Sequence, residues 1–219
     1  MANGGSENTE MKAENFSYGW SDTNAAESHD VIMPMVLRIL EQERPAPASL
    51  VDLGCGNGYA ASVLARRGYA VVGLDASGDG VNLAAKSFPG VEFGVSSVYD
   101  PCPPGRLGKF DVVLSTEVIE HLYYPRELFR RAHEMLRPGG LLIVSTPYHG
   151  YVKNMALSIL NGWDRHFTAD WDGGHIKFFS PTTLAKMALE AGFGNLKFRN
   201  VGRVPYLWKS MILVGRKGI

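Results

Sequence analysis

"VDLGCGNGY", residues 51–59, sets glycines at positions 54, 56 and 58 directly behind a short apolar run. Glycine has no Cβ, so three of them in alternation permit tight turning and let another group touch the main chain. The apolar run reads as a buried strand, and the residues after Asn57, carrying Val63 and Leu64, read as a helix. Strand, glycine turn and helix make the first crossover of a doubly wound sheet, whose ligands sit beyond the carboxyl ends of the strands.

The pattern repeats on both sides of this stretch. Downstream come the strands "AVVGLD" (70–75), "VEFGV" (91–95), "FDVVLS" (110–115) and "LLIVST" (141–146), with a short helix around Val81–Ser87. A longer helix places Leu128, Phe129, Ala132, Met135 and Leu136 on one face, starts at Pro125 and is broken by "RPGG". Upstream, "VIMPMVLRIL" aligns Val31, Ile32, Met35, Val36, Ile39 and Leu40 on a helix lying against the core. Near the end, Ser180 caps a helix with Pro181 in its first turn, a Leu184, Met187, Ala188, Ala191 face and a Gly192 stop. "NLKFRNV" and "SMILVGRK" follow as strands separated by "GRVPYLWK", too short for a crossover helix, so they form an antiparallel hairpin at the sheet edge. The expected fold is α/β, a doubly wound, mostly parallel sheet covered on both faces.

Composition narrows the function classes. The 219 residues include 22 basic and 22 acidic side chains, so no global field draws a polyanion, and a small or neutral substrate is favoured over nucleic acid. Two cysteines, Cys55 and Cys102, stand alone, which fits neither a disulfide framework nor a zinc module and suits a reducing cytoplasm. No apolar stretch approaches the ~20 residues of a membrane helix. Residues 1–15 are polar and read as a disordered leader, leaving 16–219 as one domain.

The glycine spacing is G-x-G-x-G; the G-x-G-x-x-G of dinucleotide folds and the Gly-Lys-Ser/Thr of P-loops are both absent. Asp75, 21 residues beyond Gly54 at the end of the second strand, stands where a carboxylate accepts hydrogen bonds from two ribose hydroxyls. Glycine loop, acid and element order together resemble the class I S-adenosylmethionine-dependent methyltransferases over residues 30–219. "FDVVLSTEVIEHL" and "LRPGGLLIVSTP" are similar to that family's fourth and fifth strand motifs, and the hairpin tail matches its seven-stranded sheet. The resemblance implies S-adenosylmethionine as cofactor and S-adenosylhomocysteine as product. It implies that Asp52 and the loop (Gly54, Cys55, Gly56, Gly58) hold the methionine portion, Asp75 and its neighbour Ala76 the ribose, and Ser97 and Val98 the adenine. Glu117 then lies beside the cofactor.

A hydroxyl acceptor must lose its proton to a base or with help from a metal. In "TEVIEHL", Glu117, Glu120 and His121 have i, i+3, i+4 spacing and converge if the segment is helical. His121, with Glu120, is therefore the catalytic candidate; its alternative role is a hydrogen-bonded histidine fixing the loop. The segment also resembles the O-methyltransferases of ubiquinone biosynthesis and the small-RNA ribose methyltransferases. Some of these hold a divalent ion with Glu, Glu, His and a later His, here Glu117, Glu120, His121 and either His175 or His149. Such a donor set suits magnesium or manganese. Residues 148–179 are rich in aromatic and histidine side chains and read as a cap, in which Tyr148, His149 and Trp163 are expected to meet the substrate. "FSYGW" (16–20) is expected to fold over the cofactor through Tyr18 and Trp20. Arg126, Arg130, Arg131 and Arg137 read as a solvated helix face. Methyl transfer to a small-molecule hydroxyl is the leading reading. RNA ribose methylation, a cofactor-binding module without turnover and, disfavoured by its glycine spacing, a dehydrogenase remain beside it.

Overall fold

A computed structural model describes residues 19–25, 28–167, 170–171 and 173–218, with the backbone alone at Arg165. The expected leader and Tyr18 lie outside these residues. The chain runs α1 (His29–Glu43), β1 (Ser49–Leu53), α2 (Tyr59–Ala65), β2 (Ala70–Asp75), α3 (Gly78–Ser87), β3 (Glu92–Val95) and β4 (Phe110–Thr116). It continues through a 3-10 turn (Ile119–His121), α4 (Arg126–Met135), β5 (Leu136–Pro147), α5 (Tyr151–Ile159), α6 (Trp163–Phe167), α7 (Pro181–Glu190), β6 (Phe193–Val201) and β7 (Ser210–Lys217).

The seven strands order as β3-β2-β1-β4-β5-β7-β6. The first five are parallel to their neighbours, and β7 runs antiparallel between β5 and β6. The expected hairpin is present, with β6 rather than β7 at the edge, because β7 pairs with β5 over residues 141–147. The order reverses at β1, so the loops after β1 and β4 open side by side at the carboxyl end, where a cleft is unavoidable.

Strand side chains alternate between two cores. Val51, Val113, Leu142, Val144 and Leu213 pack with Leu128, Phe129 and Met135 of α4 and Leu184 and Met187 of α7. Leu50, Val112, Leu114, Ile143 and Ile212 pack on the other face with Ile32, Val36 and Leu40 of α1 and Leu64 of α2. Burial on both faces explains why these strands read as unbroken apolar runs. Helix starts follow local chemistry: Ser180 and Thr183 form a reciprocal capping box, and Gly192 ends that helix at φ +89°. Two expectations are corrected. Helix α4 does stop ahead of "RPGG", but Leu136 is already the first residue of β5 and not part of the α4 face, and the register beside it shifts between Phe110 and Val112. The four arginines do not share one solvated helix face, since Arg131 is 2% exposed and Arg137 lies on β5; all are charge-paired, Arg126 with Glu190, Arg130 with Glu127 and Glu134, Arg131 with Glu134, and Arg137 with Asp111.

Asp111, only 6% exposed, ties β4 to the start of β1. Its carboxylate accepts from the Ser49 amide at 2.9 Å and hydroxyl at 2.8 Å, from Arg137 at 3.2 Å, and from Arg44. Burial disfavours the charge, but the bonds from Ser49 and Arg44 outweigh it, and the pKa falls below its ordinary value. A depressed folded-state pKa gives stability that is complete above the unfolded value of about 3.9 and lost as pH falls through the folded value. Asp111→Ala is therefore expected to cost about 2 kcal/mol in urea denaturation at pH 7, with the difference from wild type shrinking below about pH 4. A difference independent of pH would refute this assignment.

Candidate functional site

The loop between β1 and α2 is bonded to the end of β2. Leu74 O accepts from Gly54 N at 2.7 Å and Cys55 N at 3.1 Å, while Asp75 Oδ2 accepts from Gly56 N at 2.7 Å. The other Asp75 oxygen accepts from Ser77 N, also at 2.7 Å. Two of the glycines are needed for close approach as well as for turning. Gly54 has φ +82° and a Cβ there would lie 2.3 Å from Val118 Cγ2; Gly56 has φ +50° and a Cβ would lie 2.6 Å from Trp20 Cζ2. Trp20 thus covers the loop. Asn57, 3% exposed, holds that cover in place by donating to the carbonyls of Asp22 at 3.0 Å and Asn24 at 2.9 Å.

A cavity of about 870 Å³ opens beside this loop. Its walls take Gly54, Cys55, Gly56, Asp75 and Ala76 from the first two strand ends, Ser97 and Val98 from the loop after β3, and Glu117 and His121 from beyond β4. Trp20, His149 and His175 complete the set of sequence candidates that reach it. The others do not line it. Asp52 is fully buried in β1. Gly58 is occupied by packing, since a Cβ would meet Ala84 at 2.7 Å and Phe93 at 2.9 Å. Tyr148 packs edge-on against Trp208, and Trp163 stacks on Phe167 with its Nε1 donating to Ser158 Oγ.

The segment after β4 departs from the expected helix. Glu117 sits at φ +54°, and only Ile119–His121 coil, as a 3-10 turn, so the i, i+3, i+4 face does not form. The Glu117 carboxylate instead accepts from Ser145 Oγ at 2.8 Å and Ser210 Oγ at 3.2 Å. Glu120, 1% exposed, accepts from Thr146 Oγ1 at 3.1 Å, and its Oε1 has no partner among the described residues. Backbone pairing delivers His175 to this turn: the amides of Ile176 and Lys177 both donate to Glu120 O at 3.0 Å. His121 Nδ1 meets Gly174 O at 3.2 Å, and the His121 and His175 rings stand edge-on at 4.9 Å. One donor atom each from Glu120, His121 and His175 falls within 4.8 Å of the others, whereas Glu117 is outside this group.

Desolvation dominates the electrostatics. Burial raises the Asp52 pKa to about 7, with the Asp75 charge adding to it, and neither Asp52 oxygen has a hydrogen-bond partner among the described residues. Burial raises Glu117 to about 7 and Glu120 well above the carboxylate range, the latter helped by repulsion from Glu117. Burial also lowers the histidines: His121 falls below its ordinary value, and His149 and His175 fall to about 4. The imidazoles are therefore neutral at pH 7 and able to accept a proton or bind a cation.

Several wall residues were not legible in the sequence. His29, stacked on Tyr59 and bonded to Thr116 Oγ1 at 3.3 Å, comes from the first helix, far from any motif. Lys153, Arg203 and Lys209 also line the cavity, from α5 and the loop joining β6 to β7.

Comparison with known proteins agrees with this geometry. A methyltransferase domain family model matches residues 25–197. A ubiquinone biosynthesis O-methyltransferase of Ruegeria pomeroyi is 34% identical over 182 residues, which cover 78% of this chain and 71% of that one. The protein of that name from Caulobacter vibrioides is 36% identical over 146 residues, 62% of this chain and 55% of its own length. The chain thus spans between 55% and 71% of the length of these relatives. The structure of the PH0226 protein from Pyrococcus horikoshii superposes with a TM-score of 0.69 at 19% identity, covering 90% of this chain and 94% of that one, and so shares its fold. With a matching family model, a matching relative and the 3214576 sheet, the chain belongs to the methyltransferase domain family and is a class I S-adenosylmethionine-dependent methyltransferase.

Proposed function

We propose that this methyltransferase acts on a hydroxyl oxygen of a small molecule held in front of His121. The observation that carries the reading is an imidazole on the cavity wall, oriented by Gly174 and flanked by His175 and the buried Glu120. The names of the two bacterial relatives support oxygen as the acceptor atom. Helix α4 offers no basic footprint for RNA, since its arginines are paired with carboxylates.

When bound, S-adenosylmethionine supplies a methyl group made electrophilic by its sulfonium, so the protein has to align the acceptor, exclude water and take a proton. In this reading the carbonyls of the glycine loop accept from the cofactor's ammonium group, with the buried Asp52 carboxyl in β1 behind the loop, its oxygens lacking donors among the described residues. Asp75 takes the ribose hydroxyls with the lone pairs left after bonding Gly56 and Ser77. Ser97 and Val98 border the adenine, and Trp20 closes over the loop. The segment between β5 and α7, with helices α5 and α6, acts as the cap, and its His149 meets the acceptor. His121 receives the hydroxyl proton as the oxygen attacks.

A divalent ion such as magnesium fits the same residues: Glu120 keeps an unpartnered buried oxygen, and two neutral imidazoles complete an oxygen-and-nitrogen donor set. Glu120, His121 and His175 would hold it, and it would lower the pKa of the acceptor hydroxyl.

His121→Ala is expected to lower kcat by about 10²- to 10⁴-fold while leaving S-adenosylhomocysteine affinity nearly intact; activity close to wild type contradicts the assignment. In the wild type, kcat/KM should be flat above the ordinary histidine value and fall only as pH drops through the lowered His121 pKa, because a protonated ring accepts nothing. A profile with no acidic limb at all would exclude His121 as the base. Treatment with EDTA separates the two modes: loss of activity restored by magnesium favours the ion, and undiminished activity favours His121 acting alone.

A further inference from the structure

The acceptor end of the cavity is cationic, and the charges come from two separate elements. Lys153 is the one buried residue of α5, 4% exposed on a helix whose Tyr151 and Ile159 are 80% and 75% exposed. Its Nζ donates to Tyr148 O at 2.8 Å. Arg203 reaches the same space from the loop joining β6 to β7, where it adopts φ +57°, and Lys209 enters at the other end of that loop. The Lys209 amide donates to Val201 O at 2.9 Å, closing the base of the loop.

Carboxylates on the wall do not pair with Lys153 or Arg203. Asp75 and Glu117 are the two acids on the cavity wall; Asp75 is bonded to Gly56 and Ser77, and Glu117 to Ser145 and Ser210. Among the described residues, neither Lys153 nor Arg203 has a carboxylate within ion-pair distance. The two cations repel: burial first, then the Arg203 charge, lowers the Lys153 pKa to about 8, with Glu117 only partly opposing. The nearby His149 and His166 are themselves held neutral by burial and by Lys153, so they add donors rather than anions. A buried ammonium kept beside a guanidinium is unfavourable unless a counter-charge arrives from outside.

We propose that the methyl acceptor carries an oxyanion, a carboxylate or phosphate, bound between Lys153 and Arg203 so that its hydroxyl is directed at His121. This rests on the cavity being the O-methylation site. It makes the Lys153–Arg203 pair a specificity determinant: a neutral analogue forfeits the charge-assisted bonds and leaves a buried ammonium unpaired.

The test is calorimetric titration of the S-adenosylhomocysteine complex with 3,4-dihydroxybenzoate, phenyl phosphate and, as neutral counterpart, catechol, beside turnover assays with the two catechols. The anions should bind more tightly than catechol. Lys153→Met, and Arg203→Ala on its exposed loop, should each weaken anion binding about ten- to hundred-fold, the worth of a charged hydrogen bond, with catechol and S-adenosylhomocysteine affinities little changed. Preference for the acid or the phosphate ester tells which oxyanion the site suits. Equal binding of catechol and the anions, failure of both anions to bind the wild type, or weakened S-adenosylhomocysteine binding in place of weakened anion binding would overturn the proposal. The last result would assign the cations to the cofactor's own carboxylate. Equal methylation of both catechols leaves the O-methylation reading standing and removes this one. Tight anion binding that Lys153→Met abolishes, without turnover of either catechol, supports the oxyanion site and counts against a catechol hydroxyl as the group methylated.

Discussion

Everything at the carboxyl end of the sheet depends on how the main chain of residues 54–56 is joined to the end of β2. Three amides donate to two acceptors there, Leu74 O and Asp75 Oδ2, and the glycines let Val118 and Trp20 approach to distances no Cβ would permit. This contact places the loop, the Asp75 carboxylate and the turn after β4 around one space. It also explains why the acid and the glycines lie about 20 residues apart in sequence yet act together.

The part of the structure built from local chemistry was legible. Continuous apolar strands announced a sheet buried on both faces, Ser180 and Gly192 bounded their helix, and the apolar positions 128, 129, 132 and 135 fell on one buried face of α4. Spacing failed where the backbone left its regular path. Reading "TEVIEHL" as helix required Glu117 in a right-handed conformation; its positive φ turns the carboxylate toward Ser145 and Ser210 and leaves Glu120, His121 and His175 as the cluster. His175 joined that cluster through backbone bonds from Ile176 and Lys177 to Glu120 O, which no one-dimensional pattern encodes. Asn57 was visible only as a helix start, although its amide fastens the segment bearing Trp20. His29, Lys153 and Arg203 carried no signal, because their positions follow from tertiary packing of distant elements.

Burial sets the chemistry more than any single ion pair. It keeps the cavity histidines neutral, suppresses ionisation of Asp52, Glu117 and Glu120, and makes Lys153 costly to keep charged. Such a site is most stable when a charged guest supplies what the protein withholds: a cation or donor for the acids, an anion for the lysine. Fold and electrostatics are thus parts of one arrangement, in which the sheet's switch point creates the cleft and the surrounding helices dry it.

The central claim is that the first crossover holds a sulfur nucleoside through bare main chain and through the carboxylate of Asp75. Isothermal titration of S-adenosylhomocysteine into the wild type and into Asp75→Ala measures this directly. The account predicts one-to-one binding to the wild type, weakened about tenfold or more by loss of the charged hydrogen bonds. An Asp75→Ala variant that remains folded and binds as tightly as the wild type would contradict it.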